Sequence, residues 1–181
     1  MPAPSALVVM GVSGSGKSTI AAALAVRLGA VFVDADDLHS DEARAKMAAG
    51  TPLTDDDRAP WLERVAAHID AHAIDAASTA AASSRSGNPR VVMACSALRR
   101  AYRDALREGA ETPLFFVHLH GDPELLAARL RARVDHFMPP RLLESQLDTL
   151  EHLAPDEPGV VVDIAEDPDD IVAEVVAALP R

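Results

Sequence analysis

The sequence predicts an α/β fold: a five-stranded parallel sheet with helices on both faces, three layers in all. Two observations predict it. Short continuous apolar runs alternate with segments of helical periodicity, the pattern of strands covered on both faces and joined by helical crossovers. A glycine-rich turn also joins the first apolar run to the first helical segment, Gly11 to Ser18, and that strand–turn–helix order belongs to parallel sheets.

The elements follow in order. Ala6 to Met10 is the first strand, and Ser18 to Leu28 reads as a helix. Val31 to Val33 is a second strand that ends in acids. After Pro60, the residues Leu62, Val65, Ile69 and Ala73 recur at helical spacing. Val91 to Ala94 is the third strand, followed by a helix from Ala97 to about Glu108. Leu114 to Leu119 is the fourth, followed by a helix from Pro123 to Arg133. A helix over Leu142 to Leu153, a strand over Val160 to Ile164 and a helix over Ile171 to Leu179 complete the pattern. The length, 181 residues, suits one domain. Residues 75–90, rich in Ala and Ser, end in a surface loop. The two prolines of residues 134–141 suggest a mobile lid between helices.

Charge and composition exclude some functions. The chain carries 17 Lys+Arg against 28 Asp+Glu, a formal net charge of −11. Such a surface repels nucleic acid and anionic membranes. No apolar run reaches the length that spans a bilayer, about 18–20 residues, and residues 1–10 do not read as a signal peptide. A lone cysteine, Cys95, forms no intrachain disulfide and fits the cytoplasm.

Gly11-Val12-Ser13-Gly14-Ser15-Gly16-Lys17-Ser18 matches the P-loop pattern in full, in the strand-to-helix context the pattern requires. Its glycines let consecutive N–H groups point at an anion, and the following helix adds its positive end. Gly11, Ser13, Gly14, Ser15, Gly16, Lys17, Ser18 and Thr19 are therefore the expected nucleotide contacts. Lys17 is placed to reach the β- and γ-phosphates, and the Ser18 hydroxyl to ligate Mg²⁺.

Asp34, Asp36 and Asp37 follow the second strand, where the carboxyl ends of parallel strands form a ligand crevice. If the segment stays extended, Asp34 and Asp36 share a side. One could hold Mg²⁺ through water while the other accepts the proton of an attacking hydroxyl. Helix capping by Asp36, Asp37 or Ser40 is the plainer alternative. His39 could bond a polyol.

Several strings resemble one family, the gluconate kinases of the thermoresistant gluconokinase type. They are Gly11–Ser18, Asp34-Ala35-Asp36-Asp37-Leu38-His39, the run from Lys46 to Leu62 with its Pro-Leu-x-Asp-x-Asp-Arg-x-Pro-Trp-Leu string, Cys95 to Asp104, His136-Phe137-Met138, Ser145-Gln146 and Thr149-Leu150-Glu151. The resemblance implies a nucleoside-monophosphate-kinase-like P-loop fold, transfer of the γ-phosphoryl of ATP to the 6-hydroxyl of D-gluconate, and a homodimer. It makes Asp36 the base and Arg58 the clamp on the sugar-acid carboxylate; of the two acids, Asp34 is then left to reach Mg²⁺ through water.

An arginine fork suits a carboxylate, although Asp55, Asp56 or Asp57 could also claim Arg58. Arg99 is expected on the first turn of its helix, facing the acceptor. Arg100, Arg103 and Arg107 are expected to include a solvated face. Arg129 and Arg133 share a helix face that could close over the triphosphate, and His136 could contact either ligand. Trp61 is expected to pack in the core and Cys95 to be a small buried hydrophobe. This chain departs from the family pattern at Ser40, Ala43, Arg100 and Asp135. The rival readings are another small-molecule kinase of this fold, such as a shikimate kinase, and a nucleotide-dependent switch protein.

Overall fold

The structure is a computed structural model that describes residues 3–79, 88–132 and 140–180. Arg133, His136 and most of the expected lid and insertion lie outside the described residues. Five strands form one sheet: β1 (Ala6–Met10), β2 (Val31–Asp34), β3 (Val91–Ala94), β4 (Leu114–His120) and β5 (Gly159–Asp163). Their order is β2-β3-β1-β4-β5, and each neighbouring pair is parallel.

Strand alternation divides the core into two halves. Leu7 and Val9 of β1 face α1 (Lys17–Leu28), α5 (Pro123–Ala132) and α7 (Pro168–Ala178), through Ile20, Leu24, Leu126, Ile171 and Val175. Ala6, Val8 and Met10 face α3 (Asp55–Thr79) and α4 (Arg100–Gly109), through Trp61, Val65, Ile69, Tyr102 and Leu106. The expected three-layer sandwich is thus present, with β1 at its centre.

Four boundaries differ from expectation. A short helix, α2 (Asp41–Ala48), stands where none was expected. It buries only Ala43, so it lacks an apolar stripe, and the Ser40 Oγ caps it by accepting from Ala43 N at 3.2 Å. Helix α3 begins at Asp55, ahead of Pro60, because three acids favour its N-terminal end. Helix α4 begins at Arg100 rather than Ala97. Ala97 has φ 40, the left-handed region, so the chain turns before it can wind into a helix. Helix α6 (Pro140–Thr149) stops four residues short of Leu153.

The expectation of a solvated face on α4 needs correction at Arg103. Arg100 and Arg107 do sit at the surface, both bonded to Asp104, and Arg100 also to Asp156. Arg103 is instead fully buried. Its Nε and Nη2 donate to the Glu157 carboxylate at 2.6 and 2.8 Å, and Nη1 donates to the carbonyls of Ala97, Leu98 and Glu151. Burial pushes the Glu157 carboxyl upward, but the Arg103 bonds outweigh it and the net shift is downward. This pair ties α4 to the segment before β5.

Candidate active site

The P-loop leaves β1 at the centre of the sheet. Gly11 has φ 144, and a Cβ there would lie 2.9 Å from the Leu119 carbonyl. Gly14 has φ 84, and a Cβ there would lie 2.9 Å from Leu130 Cγ. Both positions therefore demand glycine, for conformation and for space. Helix α5 backs the turn through Leu126 and Leu130. Its Arg129 donates from Nη2 to the Ile164 carbonyl at 2.7 Å, beyond the end of β5.

Lys17 opens α1, and its Nζ donates to the Val12 carbonyl at 3.1 Å, so it curls back over the turn. Ser18 and Thr19 follow, exposed in the first helical turn. Ser15 is buried and Ser13 partly so. The Ser13 N–H donates to Gln146 Oε1 of α6 at 2.7 Å.

Asp34 and Asp36 do come together, but not by the extended geometry expected. Asp34 ends β2 and caps a 3₁₀ turn over Ala35–Leu38, its Oδ1 accepting from Asp36 N at 3.1 Å. Its Oδ2 accepts from the Ser18 hydroxyl at 2.8 Å. The two residues expected at Mg²⁺ are thus in direct contact, and both offer hard oxygen donors of the kind Mg²⁺ takes. Of the capping alternatives Asp36, Asp37 and Ser40, Ser40 caps α2, while Asp34, not among them, caps the turn, which leaves the Asp36 carboxylate to the cleft.

That cleft has a volume of about 610 Å³. Ser13, Lys17, Asp36, His39, Arg58 and Trp61 line it, together with residues 47–53, Ser96, Tyr102 and Gln146. The Asp36 side chain lines the cleft and is 75% exposed. Desolvation there, and then the charge of Asp34, raise its pKa above the ordinary carboxylate value. His39 is 7% exposed and stacks on Trp61 with centroids 4.5 Å apart and planes 6° apart. Its Nδ1 is buried and lacks a hydrogen-bond partner. Burial lowers its pKa against the pull of Asp36. Trp61 is 2% exposed, and its Nε1 donates to the Ala35 carbonyl at 2.8 Å. It is a core residue, as expected, that also floors the cleft.

Two of the three acids at the start of α3 take different duties. Asp57 accepts from Lys46 Nζ at 2.6 Å and from Thr54, and these bonds, that of Lys46 first, hold its pKa at about 2. This contact fixes the cleft wall between α2 and α3. Asp55 accepts from the Tyr102 hydroxyl at 2.5 Å and from Arg99 at 3.0 Å. The Tyr102 bond and then the two arginines depress its pKa.

Arg58 donates to the Leu53 carbonyl and stands 4.0 Å from Asp55. Arg58 and Arg99 both lie over the Tyr102 ring, at 5.4 and 5.8 Å. Arg99 is therefore not on the first turn of α4; it is the N-cap residue, paired with Asp55 beside the cleft. Cys95 is fully buried, and burial pushes its thiol up to about 12, so it is no nucleophile.

Sequence reasoning missed Tyr102 and Gln146 as site residues. Both stand in the strings that carry the resemblance, and Tyr102 is the chain's one tyrosine. Neither has a spacing that announces a role.

A glycine-built anion cradle, a Ser–Asp oxygen pair beside it and a carboxylate lining the same cleft define a P-loop phosphotransferase. Comparison with known proteins agrees and goes further. The AAA domain family matches residues 7–153. The thermoresistant gluconokinase of Escherichia coli (strain K12) is 41% identical over 175 residues, covering 96% of this chain and 93% of that protein. The gluconokinase of Gluconobacter oxydans (strain 621H) is 44% identical, covering 96% and 90%. The crystal structure of a gluconokinase from Sinorhizobium meliloti 1021 superposes with a TM-score of 0.80 at 44% identity, covering 98% and 93%. The chain belongs to the gluconokinase family.

Proposed function

We propose that this protein transfers the γ-phosphoryl group of ATP to the 6-hydroxyl of D-gluconate, giving 6-phospho-D-gluconate. The observation that carries this reading is the Asp36 carboxylate lining the same cleft as the P-loop lysine and Arg58. Full-length relatives named gluconokinase support it. They give no support to the rival kinase or switch readings.

The residues divide the work. The P-loop N–H groups and Lys17 hold the β- and γ-phosphates. Ser18, and Asp34 through water, would hold Mg²⁺, which when bound neutralises phosphate charge and orients the γ-phosphoryl. Asp36 takes the proton of the 6-hydroxyl as its oxygen bonds to the γ-phosphorus and the bond to the β-phosphate oxygen breaks. Arg58 holds the gluconate carboxylate, steadied by Tyr102 and Asp55, while His39 offers its ring to a hydroxyl. Arg99 tunes that end of the cleft through Asp55. Arg129, Arg133 and His136 belong to the nucleotide and lid side in this reading. A homodimer and a cytoplasmic location are part of the same proposal. The family resemblance supports the first and the lone cysteine the second. Among the described residues no helix is long and apolar enough to cross a membrane.

An ADP-release assay with Mg-ATP and a panel of gluconate, shikimate, other sugar acids and neutral sugars tests the acceptor. Activity confined to gluconate, with the phosphorylated product identified by mass, is the expected result. Folded, ATP-binding protein inert toward gluconate would overturn it. Arg58→Ala should raise the gluconate KM about tenfold or more, the loss of a charge-assisted bond pair, and leave the ATP KM nearly unchanged. An effect on ATP alone would move Arg58 out of the acceptor site.

A further inference from the structure

Beyond the cleft, β4 ends in His118-Leu119-His120. The period of two along a strand sends both histidines to one face. That face looks away from α1, toward the side where α3 and α4 pack. His152, in the connection after α6, meets them there. Ring centroids lie 5.5 Å apart for His118–His152, 5.4 Å for His120–His152 and 6.1 Å for His118–His120. One nitrogen from each ring falls within 4.8 Å of the others.

His118 is 0% exposed, and neither of its ring nitrogens has a hydrogen-bond partner. Such a ring is unusual, because buried polar atoms are nearly always paired. The tilted and edge-on ring contacts leave both nitrogens unanswered, whereas a metal ion takes the lone pair of one. His120 and His152 are exposed and can turn. Zinc–nitrogen bonds of about 2.0–2.1 Å need nitrogens about 3.3 Å apart in a tetrahedron, so modest rotation of the two outer rings closes the site.

We propose that His118, His120 and His152 form a transition-metal site of the zinc class, separate from the oxygen-lined Mg²⁺ position at Ser18 and Asp34. Three imidazoles without a carboxylate or thiolate suit Zn²⁺ and its neighbours in softness, and do not suit Mg²⁺. A fourth position faces solvent beside the two exposed rings. Arg103 is the nearby cation that opposes an ion here, and its bidentate bond to Glu157 offsets that charge. A bound ion would pin the α6–β5 connection to the end of β4.

The test uses the full-length chain, stripped with chelator and titrated with Zn²⁺ in excess Mg²⁺, by calorimetry and by competition with a chromophoric chelator. One Zn²⁺ per chain is expected. His120→Ala and His152→Ala, both surface changes, should each weaken it at least about tenfold. Co²⁺ should give a tetrahedral visible spectrum that His152→Ala loses. The other close histidine pair among the described residues, the half-buried His68 and His72 of α3, has His72 Nδ1 2.9 Å from the His68 carbonyl, and a double alanine variant there should bind as the parent does. No stoichiometric Zn²⁺, unchanged binding in both His120→Ala and His152→Ala, or binding lost with His68 and His72 would each overturn the proposal.

Discussion

Asp36→Asn is expected to keep Mg-ATP binding and lose about 10²–10⁴-fold in turnover. The substitution preserves shape and removes only the proton acceptor. The pH dependence gives a second readout. A base works ionised, and the Asp36 pKa is raised, first by desolvation and then by Asp34. Activity should therefore fall as the pH drops through a value above the ordinary carboxylate range, about 3.9 for aspartate. That acid limb in kcat/KM for gluconate should disappear from the residual activity of the asparagine variant. Near-normal turnover would remove Asp36 from the base role. Positioning and electrostatics at the P-loop would survive in either case, because they do not depend on this carboxylate.

Arg103→Met should destabilise the fold by about 3–5 kcal/mol, the cost of leaving one partner of a buried ion pair unpaired. For a chain of this size that is a fall in Tm of roughly 6–20 °C. The Glu157 pKa is depressed in the folded protein. Its contribution is therefore present above the unfolded value, about 4.3 for glutamate, and is lost as pH falls through the folded value. Urea unfolding at several pH values should show this acid-side loss in the parent and a flatter profile in Arg103→Met. Adding Glu157→Leu should recover part of the stability, since apolar replacement of a buried pair is often neutral, while the carbonyls of Ala97, Leu98 and Glu151 stay without their Arg103 donor. A single variant within about 1 kcal/mol of the parent would mean that water reaches the pair.

The sheet was legible in the sequence because a strand covered on both faces writes itself as an apolar run, and Ala6–Met10, Val91–Ala94 and Leu114–Leu119 all do. The P-loop was legible because its backbone geometry demands glycine at fixed places. Helix α2 was not, since with one buried residue it carries almost no periodicity. The start of α4 was misplaced because no residue type announces an alanine at positive φ. Arg103 was read as a surface charge because its partner lies 54 residues away, a distance at which sequence spacing has no meaning. The same limit hid the meeting of Tyr102 with Asp55, and of His152 with His118 and His120. Asp34 and Asp36 were read as neighbours for the wrong geometric reason, an extended segment where a capped 3₁₀ turn occurs.

The bond from Ser13 N–H to Gln146 bears on how nucleotide enters. One donor of the cradle is already satisfied by a carboxamide from α6, so a phosphate oxygen that takes it must displace that side chain. Nucleotide binding is then an exchange of ligands rather than a simple addition, and the observed affinity is the difference between two bonds. That side chain belongs to the helix that follows the expected lid and brings Ser145 and Thr149 to the cleft. Occupation of the phosphate turn through Ser13 would thereby release a tie to the cleft wall that holds Ser145 and Thr149, so a single glutamine would couple the two ends of the cleft.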